Sequence, residues 1–577
     1  MPKESAAVKE QYEKVYEHLK KVRASTTVEI KPTPMLRTEI RGFDGNIEPL
    51  KVRYYQVQGI YHLLIMNRMV LGDGTGLGKT LQAIGALCYI WERDPQVKVM
   101  VVCPKSSIGQ WASEFDKFSI GVKTFQAVGD LNHRKEAYSN WSKHVGPAVL
   151  MVNYHGVVRD WDQGITKAEP PPGSKKGTVA IAGRGYLDDL TMKIPKLALI
   201  LDEVQACKNP TTKTHQTCKF LADRAKRVWG LTATLLQNHL IEGFGIYKVI
   251  RPQTFGSKSG FLNVYCVTEM QRVKGGGKIP IIVGYKNLAH FRDTIDPFFY
   301  GRPKHLVSKE LPALTTREVI CELSSVEDRK YQEALSGVFE LGTGEVKNYE
   351  ETKQMTSLIY IQEVCNSLSL VKFGEDEFEK PVTASEGRSS KEAALVSLLT
   401  EEFDDQKVIV YTRFKSHVAR LQAMLTKEGI KSVAITGAVT KSSDRKAAQD
   451  KFQDPDSKIK VIFITDAGSE SINLQAAAAM IFFDTPWSWG RYVQLLGRMI
   501  RIGSPHQSVL AIHLLAKRPG QGKKTETIDH KVIQKLRKKK GLIDQVIGEA
   551  AVGALKFERH EDDVRELINS LRDSTNK

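Results

Sequence analysis

The 577-residue sequence has little cysteine, and none of it is arranged as a metal site or a disulfide framework. Its seven cysteines form no CxxC pair and no Cys/His cluster with zinc spacing; they are Cys88, Cys103, Cys207, Cys218, Cys266, Cys321 and Cys365. Several stand among apolar residues, which predicts reduced thiols in the protein core. We therefore expect a cytosolic or nuclear type of compartment.

Long apolar runs are also lacking. The run AAAAMIFF at 476–483 is among the longest, and it is far too short to span a bilayer. The N-terminal stretch MPKESAAVKEQYEK contains no apolar segment of the kind that signal peptides carry. We therefore expect neither secretion nor membrane insertion.

Positive charge is in excess. The sequence has 84 Lys and Arg against 66 Asp and Glu, a formal net charge of +18. This balance favours a polyanionic partner such as nucleic acid, although many basic proteins bind none and use their charge for solubility alone. The length exceeds what one hydrophobic core usually organises, so we expect about two lobes with attached helical pieces.

Short apolar runs alternate with helix-like segments in two parts of the chain. They stand at 97–104, 145–154, 197–203, 407–412, 431–436 and 460–465. Unbroken apolar runs are typical of strands buried on both faces, which predicts an α/β protein with two tandem, doubly wound parallel sheets. The predicted domains are an N-terminal helix and linker at 1–49, lobe 1 at 50–255, a helical insertion between the lobes at 256–385, lobe 2 at 386–517 and a basic C-terminal helical brace and tail at 518–577.

The string LGDGTGLGKT at 71–80 follows an apolar stretch and opens into a helical run. In a phosphate loop, glycines let the backbone approach the phosphates and the helix N-terminus binds the anion. Lys79 would reach the β and γ phosphates, and Thr80 would ligate Mg²⁺. The strict pattern fails at Asp73, and an ordinary glycine-rich turn is the alternative. The candidate ATP-binding residues here are Asp73, Gly74, Thr75, Gly76, Leu77, Gly78, Lys79 and Thr80.

An acidic pair, Asp202 and Glu203, follows the apolar run LALIL. In a chain with a phosphate loop, such a pair divides the work of nucleotide hydrolysis. Asp202 would hold Mg²⁺ through water, and Glu203 would polarise the water that attacks the γ-phosphate. Lys79 and Glu203 are thus candidate catalytic residues.

These strings and GLTATLLQN at 230–238 resemble motifs I, II and III of helicase superfamily 2, in order and spacing. They look most like the switch/sucrose-non-fermenting type, the chromatin-remodeller ATPases. VRYYQVQGIYHLL at 52–64 resembles that family's adenine-sensing motif, which implies that Gln56 recognises the base. The segment at 101–118 is similar to motif Ia, which implies DNA-backbone contacts by Pro104 and Lys105. The resemblance covers roughly residues 50–550 and implies RecA-like lobes, with ATP and Mg²⁺ as cofactors.

Lobe 2 continues the resemblance. VIVYTRF at 408–414 is similar to motif IV, TDAGSESINLQAA at 465–477 to motif V, and QLLGRMIRIG at 494–503 to motif VI. Arg498 and Arg501 lie three apart, so on one helix both would face the same side, and they are our arginine-finger candidates. The resemblance further implies ATP binding by Gln494. It implies coupling roles for Thr232, Thr234, Gly468 and Asn473, and DNA contacts by Tyr411, Thr412, Arg413 and Thr465.

The sequence departs from the family pattern at several motif positions. Gln205 replaces the usual histidine of motif II, and Gly301 replaces one of a usual arginine pair, leaving Arg302 alone. The other departures are Ala233, Ser469, Ser471, Ile500 and Ser504. None removes a phosphate, Mg²⁺ or arginine-finger group, so we expect ATP hydrolysis to persist.

The predicted function is an ATP-dependent motor that moves along double-stranded DNA by sequence-neutral backbone contacts, as ATP draws the two lobes together. Two alternatives are a strand-separating helicase and an ATP-gated DNA-binding scaffold with weak turnover. A basic stretch near the C-terminus would brace the lobes or contact phosphate, and a solvated helix face is the third alternative. It contains Lys531, Lys535, Arg537, Lys538, Lys539 and Lys540.

Overall fold

The computed structural model describes most of the chain. The described residues are 6–25, 27, 29–41, 47–162, 167–168, 180–181, 185–237, 239–272, 278–302, 311–336, 338–340, 346–348, 354–370, 387–439, 442–466, 468, 472–501, 504–522, 525–547 and 555–556. Motif V positions Ser469 and Ser471 lie outside these residues, as do 548–554 and 557–577 of the predicted brace and tail. The chain divides into two compact units, Met1–Asn263 with Ala289–Ser308, and Val264–Leu288 with Lys309–Lys577.

The first unit is built around a seven-stranded, wholly parallel sheet. Its strands, in order across the sheet, are Phe299–Tyr300, Arg68–Leu71, Arg227–Leu231, Leu197–Asp202, Lys98–Cys103, Ala148–Asn153 and Lys123–Ala127. Every residue of Lys98–Cys103 is buried, as expected for a strand covered on both faces. Two short antiparallel pairs are Glu39–Arg41 with Ile47–Pro49, and Lys167–Ala168 with Ala180–Ile181.

Helices of the first unit connect these strands. They are Ala6–Ala24, Tyr54–Ile65, Lys79–Arg93, Ile108–Phe118, Leu131–Lys143, Tyr154–Asp162, Tyr186–Met192, Lys213–Arg224, Ile241–Ile250, Lys258–Tyr265 and Leu288–Ile295, the last two of which cross the boundary between the units. Single 3₁₀ turns stand at Lys105–Ser107, Val204–Cys207 and Asp296–Phe298. The arrangement brings several loops together at the carboxyl edge of the parallel sheet, where ligands of such folds bind.

The second unit contains a six-stranded, wholly parallel sheet. Its order is Ala313–Glu322, Ser508–Lys517, Ala479–Phe482, Val408–Tyr411, Val461–Ile464 and Ser432–Ile435. Antiparallel pieces are the hairpin Cys266–Arg272 and Lys278–Tyr285, which pairs with Leu555–Lys556, and the pair Val338–Glu340 and Val346–Asn348. The helices are Ser325–Ser336, Gln354–Asn366, Ser390–Ser397 with a π turn at Leu398–Glu402, Lys415–Lys427, Ser442–Gln453, Trp489–Met499 and Ile528–Ile547, with a 3₁₀ turn at Leu368–Leu370.

The predicted fold class, two tandem parallel-sheet lobes of the RecA-like type, is confirmed by these sheets. The region 256–385 differs from the expected helical insertion because it also contributes strands. Phe299–Tyr300 joins the first sheet, and Ala313–Glu322 forms the edge of the second. The edge strand is mostly exposed, so it lacks the unbroken apolar run by which the inner strands were recognised.

The seven cysteines are all buried and free, as the sequence predicted. Within the part of the chain that the structure describes, no helix is long and apolar enough to cross a membrane.

Candidate active site

The phosphate loop connects strand Arg68–Leu71 to helix Lys79–Arg93. Gly76 and Gly78 have φ angles of 84° and 76°, in the left-handed region that favours glycine. A Cβ atom at Gly78 would lie 2.6 Å from Gln56 Nε2, so a larger residue would have to displace that side chain in addition to adopting the strained φ. The first N–H groups of the following helix have no partner within the helix itself, which makes this loop an anion site.

Gln56, the predicted adenine-recognition residue, lies beneath this loop. Its side chain is buried; Oε1 accepts from the Arg53 N–H at 2.9 Å, and Nε2 donates to the Leu77 carbonyl at 3.3 Å. Because both ends of the amide are engaged, Gln56 braces the phosphate loop in this conformation.

Lys79 and Thr80 occupy the first turn of helix Lys79–Arg93, and both are half-buried. Lys79 Nζ donates to the carbonyl of Asp73 at 2.8 Å. The ammonium also lies near enough to Asp202 to oppose the rise that burial causes in the pKa of that carboxyl. The loop therefore presents its cation toward the acidic pair.

Asp73 is fully buried, and its carboxylate is engaged by Arg302 and Gln82. Arg302 Nη2 donates to Oδ2 at 2.6 Å and Arg302 Nε to Oδ1 at 3.0 Å, while Gln82 Nε2 donates to Oδ2 at 2.9 Å. The side chain of Asp73, predicted to bind ATP, is thus occupied in anchoring the loop. This explains why the position tolerates an acid where a glycine is usual.

Strand Phe299–Tyr300 carries Arg302 to this position because it pairs with Arg68–Leu71. The Gly74 N–H donates to the Arg302 carbonyl at 3.1 Å. A Cβ atom at Gly301 would lie 2.6 Å from the carbonyl oxygen of Gly72. The glycine that departs from the family's arginine pair is therefore required by the close approach of two backbone segments.

Asp202 and Glu203 stand at the carboxyl end of strand Leu197–Asp202. Burial and the neighbouring Glu203 raise the pKa of Asp202 to about 6, although the indole N–H of Trp111, 2.9 Å from Oδ2, opposes that rise. Glu203 has φ 54° and ψ 54°, a left-handed conformation rare outside glycine. Such strain, about 1–3 kcal/mol, persists where the surrounding structure holds a functional side chain in place.

Gln205 links Glu203 to the threonines of motif III. Its Nε2 donates to Glu203 Oε2 at 2.5 Å, and its Oε1 accepts from the Thr232 hydroxyl at 2.8 Å. The Thr234 N–H donates to Thr232 Oγ1 at 3.0 Å. These contacts exist because strand Arg227–Leu231 pairs with Leu197–Asp202 in parallel, so that their carboxyl ends are adjacent. Glutamine at position 205 thus replaces histidine while offering both a donor and an acceptor.

Pro104 and Lys105 follow strand Lys98–Cys103 at the same edge of the sheet. Pro104 is half-buried, whereas Lys105 is exposed at the start of a 3₁₀ turn. Lys105 therefore offers a solvent-facing cation near the carboxyl edge.

In the second unit, the prediction that Arg498 and Arg501 share a helix is wrong. Helix Trp489–Met499 ends before Arg501 because Ile500 is extended, with φ −81° and ψ 90°. Arg501 instead bonds Asn473 through its guanidinium, and its Nε donates to the Gly497 carbonyl at 2.9 Å. Motifs V and VI are thus tied together within this unit.

Burial or a backbone contact characterises three further motif residues of the second unit. The side chain of Gln494 is buried. The Leu474 N–H donates to the Arg498 carbonyl at 2.9 Å. A Cβ atom at Gly468 would lie 1.7 Å from the carbonyl oxygen of Ile435, so this motif V position admits only glycine.

The predicted DNA contacts of the second unit are mostly inward-facing. Tyr411 and Thr412 are fully buried; Tyr411 donates to Asp466 at 2.8 Å and Thr412 to Asp484 at 2.6 Å. Thr465 is buried as well. Arg413 is half-buried and donates to Gln362 at 2.8 Å. The side chains of the first two residues thus hold loops in place, and they have no exposed surface for a ligand.

Sequence reasoning missed Trp111 and the role of Arg302. Trp111 lies within the motif Ia string, but its indole bond to Asp202 follows from helix Ile108–Phe118 packing beside the sheet, which the local pattern does not encode. From the sequence, Arg302 was identified only as the remaining arginine of a usual pair. Its acidic partner, Asp73, lies more than two hundred positions earlier in the chain.

The fold and the site define a nucleotide-binding protein with two parallel-sheet lobes in one chain. Residues 55–370 match the SNF2-related domain, and residues 390–503 match the helicase conserved C-terminal domain. The first match covers 316 of the 577 residues. The chain belongs to the SNF2-related family, so the resemblance predicted from the motifs is confirmed, as is the helicase-like ATPase class to which that family belongs.

Curated relatives are similar at low identity. The chromatin structure-remodeling complex protein SYD of Arabidopsis thaliana is 24% identical over 78% of this chain and 12% of its own length. The transcription regulatory protein SNF2 of Saccharomyces cerevisiae is 25% identical over 90% of this chain and 29% of its own length. An uncharacterized ATP-dependent helicase of Mycoplasma pneumoniae is 24% identical over 88% of this chain and 43% of its own length. The chain spans less than half the length of these relatives.

Among solved structures, the Sulfolobus solfataricus SWI2/SNF2 ATPase core in complex with dsDNA is 22% identical. That comparison covers 91% of this chain and 96% of the other, with a TM-score of 0.36.

Proposed function

We propose that the chain is an ATP-driven motor that moves along double-stranded DNA. The observation that carries the proposal is the convergence of Lys79, Asp202 and Glu203 at one sheet edge, with Glu203 held by Gln205. Family membership and the net charge of +18 support nucleic acid as the track.

In this mechanism the phosphate loop binds ATP through its backbone N–H groups, and Lys79 moves from the Asp73 carbonyl to the phosphates. Glu203 polarises the attacking water, and its strained backbone and its bond to Gln205 fix the direction of the carboxylate. On the family resemblance, Arg498 and Arg501 stabilise the negative charge that develops on the γ-phosphate, which for Arg501 requires its guanidinium to leave Asn473.

Magnesium fits this site through the Thr80 hydroxyl and, by way of water, the Asp202 carboxylate. Among the residues described, no group of three or more His, Cys, Asp or Glu side chains could hold a metal. Mg²⁺ takes few protein ligands and completes its shell with phosphate and water, so one hydroxyl and one carboxylate would be sufficient to hold it beside bound ATP. When bound, the ion neutralises phosphate charge.

Thr232 and Thr234 relay the state of the nucleotide, because Gln205 bridges Glu203 to the Thr232 hydroxyl and the Thr234 N–H donates to that hydroxyl. Lys105 is the motif Ia contact to the DNA backbone that we favour, because it is exposed. Contacts to phosphate carry no base code, so movement is independent of sequence.

Steady-state ATP hydrolysis tests the proposal. It is measured without nucleic acid and with single-stranded DNA, duplex DNA and duplex RNA, for the natural sequence, Lys79→Ala, Glu203→Gln and the surface control Lys193→Ala. We expect duplex DNA to stimulate hydrolysis, both active-site variants to lose it, and the control to retain it. A hydrolysis rate that is the same with and without each nucleic acid would contradict the motor and favour the scaffold.

Movement is tested by displacement of the third strand of a DNA triplex, and strand separation by unwinding of a forked duplex. A translocase displaces the third strand and leaves the fork paired, whereas a helicase opens the fork. If the protein shows no ATP-dependent activity in either assay, the motor is excluded.

A further inference from the structure

The first unit contains a cavity of about 630 Å³ at the sheet edge opposite the phosphate loop. It lies where the strands begin, at Val97, Leu197 and Arg227, whereas the active-site residues follow the strand ends. The first and last Cα atoms of a six-residue strand lie about 17 Å apart, five steps of roughly 3.3 Å, so the two sites are separate. We call this cavity the amino-edge pocket.

The floor of the amino-edge pocket is apolar. Helix Tyr54–Ile65 contributes its last turn, helix Lys79–Arg93 its last turns, and the strand starts complete the wall. The apolar lining includes Tyr61, Leu64, Ile65, Ile90, Val97 and Leu197. Tyr61, Leu64 and Ile65 are half-buried, so they present apolar surface to the pocket that no other described residue covers completely. The volume is within the range of about 300–1,000 Å³ found for ligand pockets.

The rim is cationic. Lys31, Arg93, Lys196, Lys226 and Arg227 line the pocket, against the carboxylates of Glu29 and Asp94 only. Asp94 is already paired with Lys196 at 2.7 Å, and Arg227 donates to the Leu64 carbonyl at 3.3 Å. Lys31, Arg93 and Lys226 are exposed, and none forms an ion pair with another residue that the structure describes.

We propose that the amino-edge pocket binds an acidic peptide segment that inserts an apolar side chain. The carboxylates of such a segment pair with Lys31, Arg93 and Lys226, while its aromatic or aliphatic side chain lies against Tyr61 and Ile65. A nucleic-acid backbone satisfies the rim but not the floor, because phosphates and sugars do not fill an apolar recess. Because the rim is positively charged, it also repels basic partners.

The test uses the full chain and fluorescence anisotropy with a labelled ten-residue probe, Asp-Glu-Phe-Asp-Asp-Leu-Glu-Glu-Phe-Asp. A charge-matched probe carries Ser at the three apolar positions, and an apolar-matched probe carries Lys at the acidic positions. We expect the first probe to bind and the other two to bind at least about tenfold more weakly, which corresponds to a loss of about 1.4 kcal/mol.

The pocket variants are Arg93→Glu with Lys226→Glu, and separately Tyr61→Ala. The matched control is Lys143→Glu with Lys193→Glu, two exposed lysines of the same unit outside the pocket lining. We expect each pocket variant to weaken the first probe at least about tenfold and the control less than about twofold. Far-UV circular dichroism in the absence of the probe verifies that each variant is folded and should be unchanged.

Three outcomes would overturn the proposal: equal binding of the Ser probe, equal loss in the control, or unchanged binding in both pocket variants. Displacement of the probe by a short DNA duplex whose own binding falls in Arg93→Glu with Lys226→Glu would assign the surface to nucleic acid instead.

Discussion

Breaking the ion pair between Asp73 and Arg302 should destabilise the lobe that carries the phosphate loop. The Asp73 side chain is 0% exposed and that of Arg302 12% exposed. Burial of the guanidinium acts to lower the pKa of Arg302, yet the attraction of Asp73 outweighs it and leaves that pKa raised. Removing one partner of a buried pair leaves the other charge uncompensated, at a cost of about 3–5 kcal/mol. We expect that loss for Arg302→Met.

A double-mutant cycle isolates the pair. Asp73→Asn removes the negative charge, and the double variant carries neither charge, so its loss should be smaller than the sum of the single losses by roughly 0.5–3 kcal/mol. The matched control is Lys213→Met, which breaks an ion pair with Asp162 whose side chains are 67% and 40% exposed. Such a surface pair contributes about 0–1 kcal/mol.

Urea unfolding followed by tryptophan fluorescence measures these differences. Trp91, Trp111, Trp141 and Trp229 are buried in the first unit and report its transition. With an m-value of about 3 kcal/mol/M, Arg302→Met should lower the midpoint by roughly 1–1.7 M. Because the pair positions the Asp73 carbonyl that receives Lys79, the KM for ATP should rise in parallel. A midpoint shift no larger than that of Lys213→Met would refute the reasoning.

Three further predictions concern single positions. Gln205→Leu removes both bonds to Glu203 and Thr232 and should lower kcat by roughly 10–100-fold with little change in KM; an unchanged kcat in the steady-state assay would contradict the positioning role. Burial lowers the pKa of His62 to about 3, below its unfolded value near 6.5, so stability is complete above pH 6.5 and falls as pH decreases. The loss should reach about 2 kcal/mol at pH 5, and His62→Gln should flatten the pH profile of the urea midpoint. Gly245→Ala places a Cβ 1.9 Å from the Lys208 carbonyl oxygen and should destabilise by about 1–3 kcal/mol in thermal melts, whereas Gly109→Ala, with open space on a helix, should stabilise by about 0.5–1 kcal/mol; equal melting temperatures would be inconsistent with both.

The sequence predicted the fold best in strands whose consecutive residues are almost all buried. Strand Leu197–Asp202 is covered on both faces, so its residues before Asp202 form an unbroken apolar run. That run predicted a buried parallel strand, and it marked the acidic pair that follows as a candidate site. The phosphate loop was recognisable because its glycines meet a local backbone requirement, visible at Gly76 and Gly78 as positive φ angles.

Features that depend on distant partners could not be read locally. Ala313–Glu322 is an exposed edge strand without an apolar run, and only its ten-residue register with Ser508–Lys517 defines it. The motif VI string does not show that helix Trp489–Met499 ends before Arg501. The extended Ile500 and the bond from Arg501 to Asn473 set that end. The burial of Tyr411 likewise follows from its position on a central strand.

Two departures from the family pattern bear on the choice between a motor and a weakly hydrolysing scaffold. A scaffold that hydrolyses ATP only weakly would have little need to keep Glu203 oriented. Gln205 nevertheless connects Glu203 to Thr232 with both ends of its amide, and Gly301 has the small size that its contact with Gly72 requires. Each replacement is matched by its neighbours, so the active-site geometry favours efficient ATP hydrolysis over weak turnover, and the Gln205→Leu turnover measurement is the sharpest test of that preference.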